Sequence, residues 1–169
     1  NTSRSNLLSS KGFYMPTDHD HMLHTVRMAK AAGEAGNLPI GAVIVLDGKV
    51  IAEGQNRLWF PRTDPGRHAE IDALAGVDHT LWPRAKEMTL YTTLEPCLMC
   101  LSTILLHCIG HIVYGAKDSR GGALCTVGHM PPAFERFYKE IKMTGPAMPE
   151  ECNELFRQTV MIIESRIAK

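Results

Sequence analysis

Thr89-Leu90-Tyr91-Thr92-Thr93-Leu94 runs without a break into Glu95-Pro96-Cys97-Leu98-Met99-Cys100. The first six residues are β-branched, aromatic or apolar, the composition of a buried strand. At Pro96 the character changes. Proline is favoured at the first position of a helix, where its missing N–H leaves nothing unpaired, so a helix is predicted to begin there. Cys97 and Cys100 then stand three residues apart on the first turn, where both sulfurs project from one face and reach a single metal. The positive end of the helix favours the thiolate form that a metal binds. A strand ending in such a turn puts the site at one end of a sheet, a common location in α/β proteins.

Upstream, His68-Ala69-Glu70 supplies what the cysteines lack. His68 is the expected third ligand, and three protein ligands leave the fourth tetrahedral position of a zinc ion open for water. Glu70 is then the candidate proton carrier, taking the proton of a water that zinc acidifies, passing it to the ring nitrogen and later protonating the leaving amine. His-x-Glu followed by Pro-Cys-x-x-Cys matches the signature of the zinc-dependent base deaminases. The rival is a non-catalytic binding protein whose zinc only stabilises the fold, which needs a fourth ligand. Cys108 lies about 12 Å from Cys100 by helical rise and is too far; Cys125 stays open as a candidate.

The 169 residues suit one domain, expected over 17–169 behind a flexible polar extension over 1–16. Lys plus Arg equals Asp plus Glu at 18 each, which argues against a large phosphate-binding surface. Arg57, Arg62, Arg67, Lys117 and Arg120 nevertheless fall in loops predicted to rim the site, a local arc for phosphate. Five cysteines form no disulfide framework, and no membrane span or secretory hydrophobic region is evident, so a reducing cytoplasm is the expected setting.

In chain order, a helix capped at Thr17 or Asp18 carries Leu23, Val26 and Ala29 on one face and is expected to end near Gly33 to Gly36. His19, His21 and His24 belong to that helix start and not to a second metal site. Ile40 to Leu46 and Lys49 to Gly54 flank Asp47-Gly48, a strong hairpin signal, with the first strand covered on both faces and the second nearer an edge. The loop from Gly54 to His68 carries Asn56, Trp59 and Phe60. On residue type Asn56 reads as a loop amide bonding its own backbone, with a grip on a base ring as the functional alternative. Trp59 and Phe60 read equally as a stacking platform or as a satellite hydrophobic cluster. His111 to Ala116 is a fourth strand, Phe137 to Met143 a possible fifth, and Pro149 to Lys169 a helix whose Phe156, Val160, Ile163 and Ile167 form one apolar stripe, read as core.

These residues resemble the cytidine deaminase superfamily, and within it the bacterial tRNA adenosine deaminases. The resemblance runs from His21 to Ser165 on Pro39-Ile40-Gly41-Ala42-Val43, Gly54-Gln55-Asn56-Arg57, Asp64-Pro65 before His68-Ala69-Glu70-Ile71, and Thr89 to Cys100. It continues in Tyr114-Gly115-Ala116-Lys117-Asp118 with Gly121-Gly122, and in Pro149-Glu150-Glu151-Cys152. It implies a three-layer α/β/α fold with a five-stranded mixed sheet, often a homodimer, and zinc on His68, Cys97 and Cys100 with Glu70 as acid and base. It also implies that Asn56 contacts the base and Asp118 the sugar or a flanking nucleotide. Ala69 and Pro96, inside the ligand motifs, are further substrate-binding positions, with Trp59 and Phe60 at the mouth. The substrate is then a base in a tRNA anticodon loop, or alternatively a free base or nucleoside.

Overall fold

The computed structural model describes residues 16–168. Apart from Pro16, the extension expected over 1–16 lies outside the described residues. Five strands, β1 (Gly41–Leu46), β2 (Lys49–Gln55), β3 (Thr89–Leu94), β4 (His111–Ala116) and β5 (Lys142–Thr144), form one sheet in the order β2-β1-β3-β4-β5. β1 pairs antiparallel with β2 and with β3, whereas β3–β4 and β4–β5 are parallel, so the sheet is mixed.

Side chains alternate across each strand and feed two cores. Ala42, Ile44, Leu90 and Ile112 face a cluster that includes Ala73 and Leu74 of α2 (Ala69–Ala75) and Leu101, Ile104 and Leu105 of α3 (Leu98–Leu106). Val43, Val45, Tyr91 and Val113 face the opposite cluster, with Met22 and Val26 of α1 (Asp18–Glu34) and Cys152 and Leu155 of α5 (Pro149–Ile167). This is the three-layer arrangement the pattern implies. β1 is buried along its whole length, and β2 is a half-exposed edge.

Local chemistry accounts for most boundaries. Thr17 caps α1 reciprocally with Asp20. The face turned to the sheet contains Met22, Val26 and Ala29; Leu23, expected there, is exposed. Asp47 and Gly48 both adopt positive φ at the hairpin turn. Pro96 precedes the helix instead of opening it, because Cys97 is the N-cap and α3 starts at Leu98. The strand expected over Phe137 to Met143 begins as helix: α4 (Pro132–Lys139) turns Phe134, Phe137 and Tyr138 onto the core at helical spacing, and only Lys142–Thr144 pairs with the sheet. No helix among the described residues is long and apolar enough to cross a membrane.

Candidate active site

The ligand motifs meet at the ends of α2 and α3. His68 is the N-cap of α2 and Cys97 the N-cap of α3, with Cys100 in the first turn, so both helices present their starts at the same end of the sheet. The close packing that allows this depends on Gly54. A Cβ there would lie 2.8 Å from the Ala73 Cβ, and closer still to the Ala69 carbonyl and the Ala73 nitrogen. A bare backbone at 54 lets α2 lie directly on β2 and brings His68 forward.

His68 Nδ1 is 3.5 Å from Cys97 Sγ and 3.6 Å from Cys100 Sγ, and the three donors all lie within 4.8 Å of one another. They are the His-Cys-Cys group that could hold a metal ion, and no fourth His, Cys, Asp or Glu joins them among the described residues. Cys108 and Cys125 are exposed, and the Cys125 thiol donates to the Gly122 carbonyl. A site closed by four protein ligands, as a purely structural zinc requires, is therefore not formed. The hydrogen bond from Cys100 draws the Cys97 thiol down to about 4 against the effect of burial, with His68 adding to the pull. The same bond and burial push Cys100 up. Its link to Cys97 raises His68, with burial opposing.

Glu70 is 4% exposed. Its Oε1 accepts from Thr92 Oγ1 at 3.4 Å and its Oε2 from the Cys100 thiol at 3.4 Å, so its carboxylate is oriented from the central strand and from α3 together. Burial raises its carboxyl above the ordinary range, a carboxyl suited to carrying a proton instead of holding a fixed charge.

His68, Glu70, Cys97 and Asp118 border a cavity of about 290 Å³. Asp118 spends Oδ1 on the N–H groups of Arg120 and Gly121. Asn56, 1% exposed, accepts from the Leu58 N–H through Oδ1, so the local backbone reading of this residue is correct. Its Nδ2, however, is the buried side-chain N or O atom without a hydrogen-bond partner among the described residues. Ala69 and Pro96 are buried and do not border the cavity. Trp59 and Phe60 do not border the cavity. The Trp59 ring lies under the Arg166 guanidinium, and the backbone N–H groups of both residues donate to Asn37 Oδ1.

Three features escape the sequence reading. Glu95, 3% exposed, accepts from the N–H groups of Asp118 (3.1 Å) and Leu124 (3.0 Å), clamping the loop after β4 against the start of α3. Gly122 permits that approach, since a Cβ would strike the Glu95 carboxylate. Asp72 accepts from Gln55 N, Arg57 Nε and Arg67 Nη2 at 3.2, 2.9 and 2.8 Å, tying the loop before His68 to α2. Its position one turn after His68 was the available signal. Finally, Phe156, Val160 and Ile163 wall the cavity and Ile167 is 79% exposed, so only Phe156 of the α5 stripe also packs against the core.

A buried glutamate beside a three-donor group, at the head of the parallel strands of this sheet, is the plan of the cytidine deaminase-like fold, and it makes the chain a deaminase. Residues 17–156 match the model of the MafB19-like deaminase family, and the chain belongs to that family. It is 35% identical over 140 residues to a tRNA-specific adenosine deaminase of Bacillus subtilis, covering 82% of this chain and 85% of that one. A structure from work on A-to-I editing by tRNA:A34 deaminases at the wobble position of transfer RNA is 33% identical, with a TM-score of 0.68, over 81% of this chain and 99% of that one. The guanine deaminase structure from Bacillus subtilis is 36% identical, with a TM-score of 0.55, over 60% of this chain and 66% of that one.

Proposed function

We propose that this chain is a zinc-dependent hydrolase that converts adenosine in a tRNA anticodon loop to inosine, with release of ammonia. The observation that carries zinc is the donor spacing. Tetrahedral zinc with Zn–S of about 2.3 Å and Zn–N of about 2.0–2.1 Å separates sulfur from nitrogen by about 3.6 Å, and His68 Nδ1 stands 3.5 and 3.6 Å from the two sulfurs. When bound, zinc supplies the polarisation that makes water nucleophilic near neutral pH. Glu70 takes the proton of the attacking water and passes it to the ring nitrogen as the ring carbon gains its C–O bond. It then takes the remaining proton from the new hydroxyl and gives it to the amine, the C–N bond breaks, and ammonia leaves as the carbonyl forms. Asn56 Nδ2 is the donor assigned to the base, since its amide oxygen is already occupied and the nitrogen awaits an acceptor. The tRNA relatives support the substrate.

A second reading, a free base or nucleoside, is favoured by charge. Arg57 and Arg67 are both spent on Asp72 and Arg120 on Glu164, which leaves Arg62 and Lys117 as the members of the expected arc without an ion pair among the described residues. In either reading we take the protein to be a cytoplasmic homodimer. Exposed Leu98, Met99 and Leu106 on α3 support the dimer, and free cysteines support the compartment. The test is inosine formation in an anticodon stem-loop by the zinc-loaded protein, beside ammonia release from free bases and nucleosides. Stem-loop turnover is expected, and Glu70→Gln retains zinc while losing at least about 10²-fold in rate. Turnover of free bases alone rejects the tRNA substrate, and full activity of Glu70→Gln rejects the role of that carboxylate.

A further inference from the structure

The end of α5, just past the residues that wall the cavity, is tied down at two points, one of them on a residue of the cavity rim. Phe156, Val160 and Ile163 face the cavity, and one residue beyond them Glu164 pairs with Arg120 at 2.8 Å. Arg120 itself borders the cavity, on the loop that carries Asp118. Two residues further on, the Arg166 guanidinium lies 3.6 Å from the centre of the Trp59 ring, on the loop between β2 and α2. Neither tie secures a core. Arg120 and Glu164 side chains are 61% and 58% exposed, and of the residues around them Ile163 is at the surface and Ile167 wholly outside. Earlier in the helix the inward residues are Cys152, Leu155 and Thr159, so the anchoring burial stops before the segment that the two ties hold.

Resting on the deaminase reading above, we propose that Glu164 and Arg166 latch the last two turns of α5 across the cavity mouth and thereby set the preference between a free nucleoside and a base carried in an RNA chain. A nucleoside fits within the walls with the latch closed. A base with nucleotides on both sides needs the mouth widened, and the flanking phosphates meet Arg120 only after Glu164 lets it go. An exposed ion pair and a single cation–π contact are weak enough to open at each binding event.

The test uses the full zinc-loaded chain carrying Glu164→Gln with Arg166→Ala, a pair that removes one negative and one positive charge and so leaves net charge unchanged. The control is Glu154→Gln with Arg157→Ala, which breaks an exposed pair on the same helix outside the cavity. Stem-loop affinity is measured with Glu70→Gln added to prevent turnover, and nucleoside kcat/KM with Glu70 intact. The latch variant binds the stem-loop about five-fold tighter, equivalent to about 1 kcal/mol, with nucleoside kcat/KM unchanged and faster amide exchange over residues 160–167. The control changes neither. Unchanged or weaker stem-loop binding by the latch variant, or an equal gain in the control, overturns the proposal. Wild-type turnover separates the two conclusions: an active enzyme with an indifferent latch variant rejects the latch alone, whereas an enzyme inactive on every substrate rejects the deaminase reading.

Discussion

Gly54→Ala joins the sheet, the helix and the chemistry in one substitution. The new Cβ would lie 2.8 Å from the Ala73 Cβ, with the Ala69 carbonyl and Ala73 nitrogen nearer still, all on α2. Carbon atoms pack at about 3.5–4.0 Å, so α2 must retreat by about 1 Å. Backbone cannot rotate out of the way as a side chain does, and overpacking of this kind costs about 1–3 kcal/mol or more. The same retreat carries His68 and Glu70, at the near end of α2, away from the cysteines of α3. A misplacement of about 1 Å is enough to cost about 10²-fold in rate. Urea unfolding of the variant therefore loses about 1–3 kcal/mol, and kcat falls about 100-fold. Gly66→Ala is the control, since a Cβ there meets only Asp64 Oδ1 at 3.5 Å, and it stays within about 0.5 kcal/mol of wild type. A Gly54→Ala protein of wild-type stability and rate would refute the argument that this contact sets the position of the site.

Two further outcomes follow from named contacts. Cys97→Ala removes one of the three donors, so zinc is lost on purification and thermal stability falls, as read by metal analysis and calorimetry; retention of one equivalent of zinc would contradict the ligand set. Asp72→Asn tests the clamp on the loop before His68. Burial pushes the Asp72 carboxyl up, but hydrogen bonds from Arg57, Arg67 and Gln55 outweigh it and hold the group below its ordinary 3.8. A carboxyl depressed in the folded state stabilises it above 3.8, and that contribution is lost as the pH falls through the native value. The variant is therefore destabilised by about 1–2 kcal/mol at pH 6, with both arginines part-exposed and screened, and the gap from wild type closes below pH 4. A gap independent of pH would contradict the ionic clamp.

The His68-Cys97-Cys100 group and the carboxylate beside it were legible as a cluster because metal-binding chemistry restricts residue type at short spacing: Cys97 and Cys100 are three residues apart, and Glu70 follows His68 by two. The strand and helix order was legible for the same reason, since capping at Thr17, the turn at Asp47-Gly48 and the apolar run of β1 are all written in adjacent residues. Where local signals were ambiguous, packing chose: the aromatic residues of 134–138 met the core only as a helix. Pairings across the fold had no local signature at all. Glu95 reaches Asp118 and Leu124, Asp72 gathers two arginines from a loop, and Trp59 lies under Arg166 from the far end of the chain. The apolar stripe of α5 showed that one face would be covered, but not by what. Sequence determined the reagents and the order of the elements; tertiary structure decided that Cys152 and Leu155 of α5 enter the core while Val160 and Ile163 of its apolar stripe wall the cavity, because a stripe records only a preference for leaving water and not what covers it.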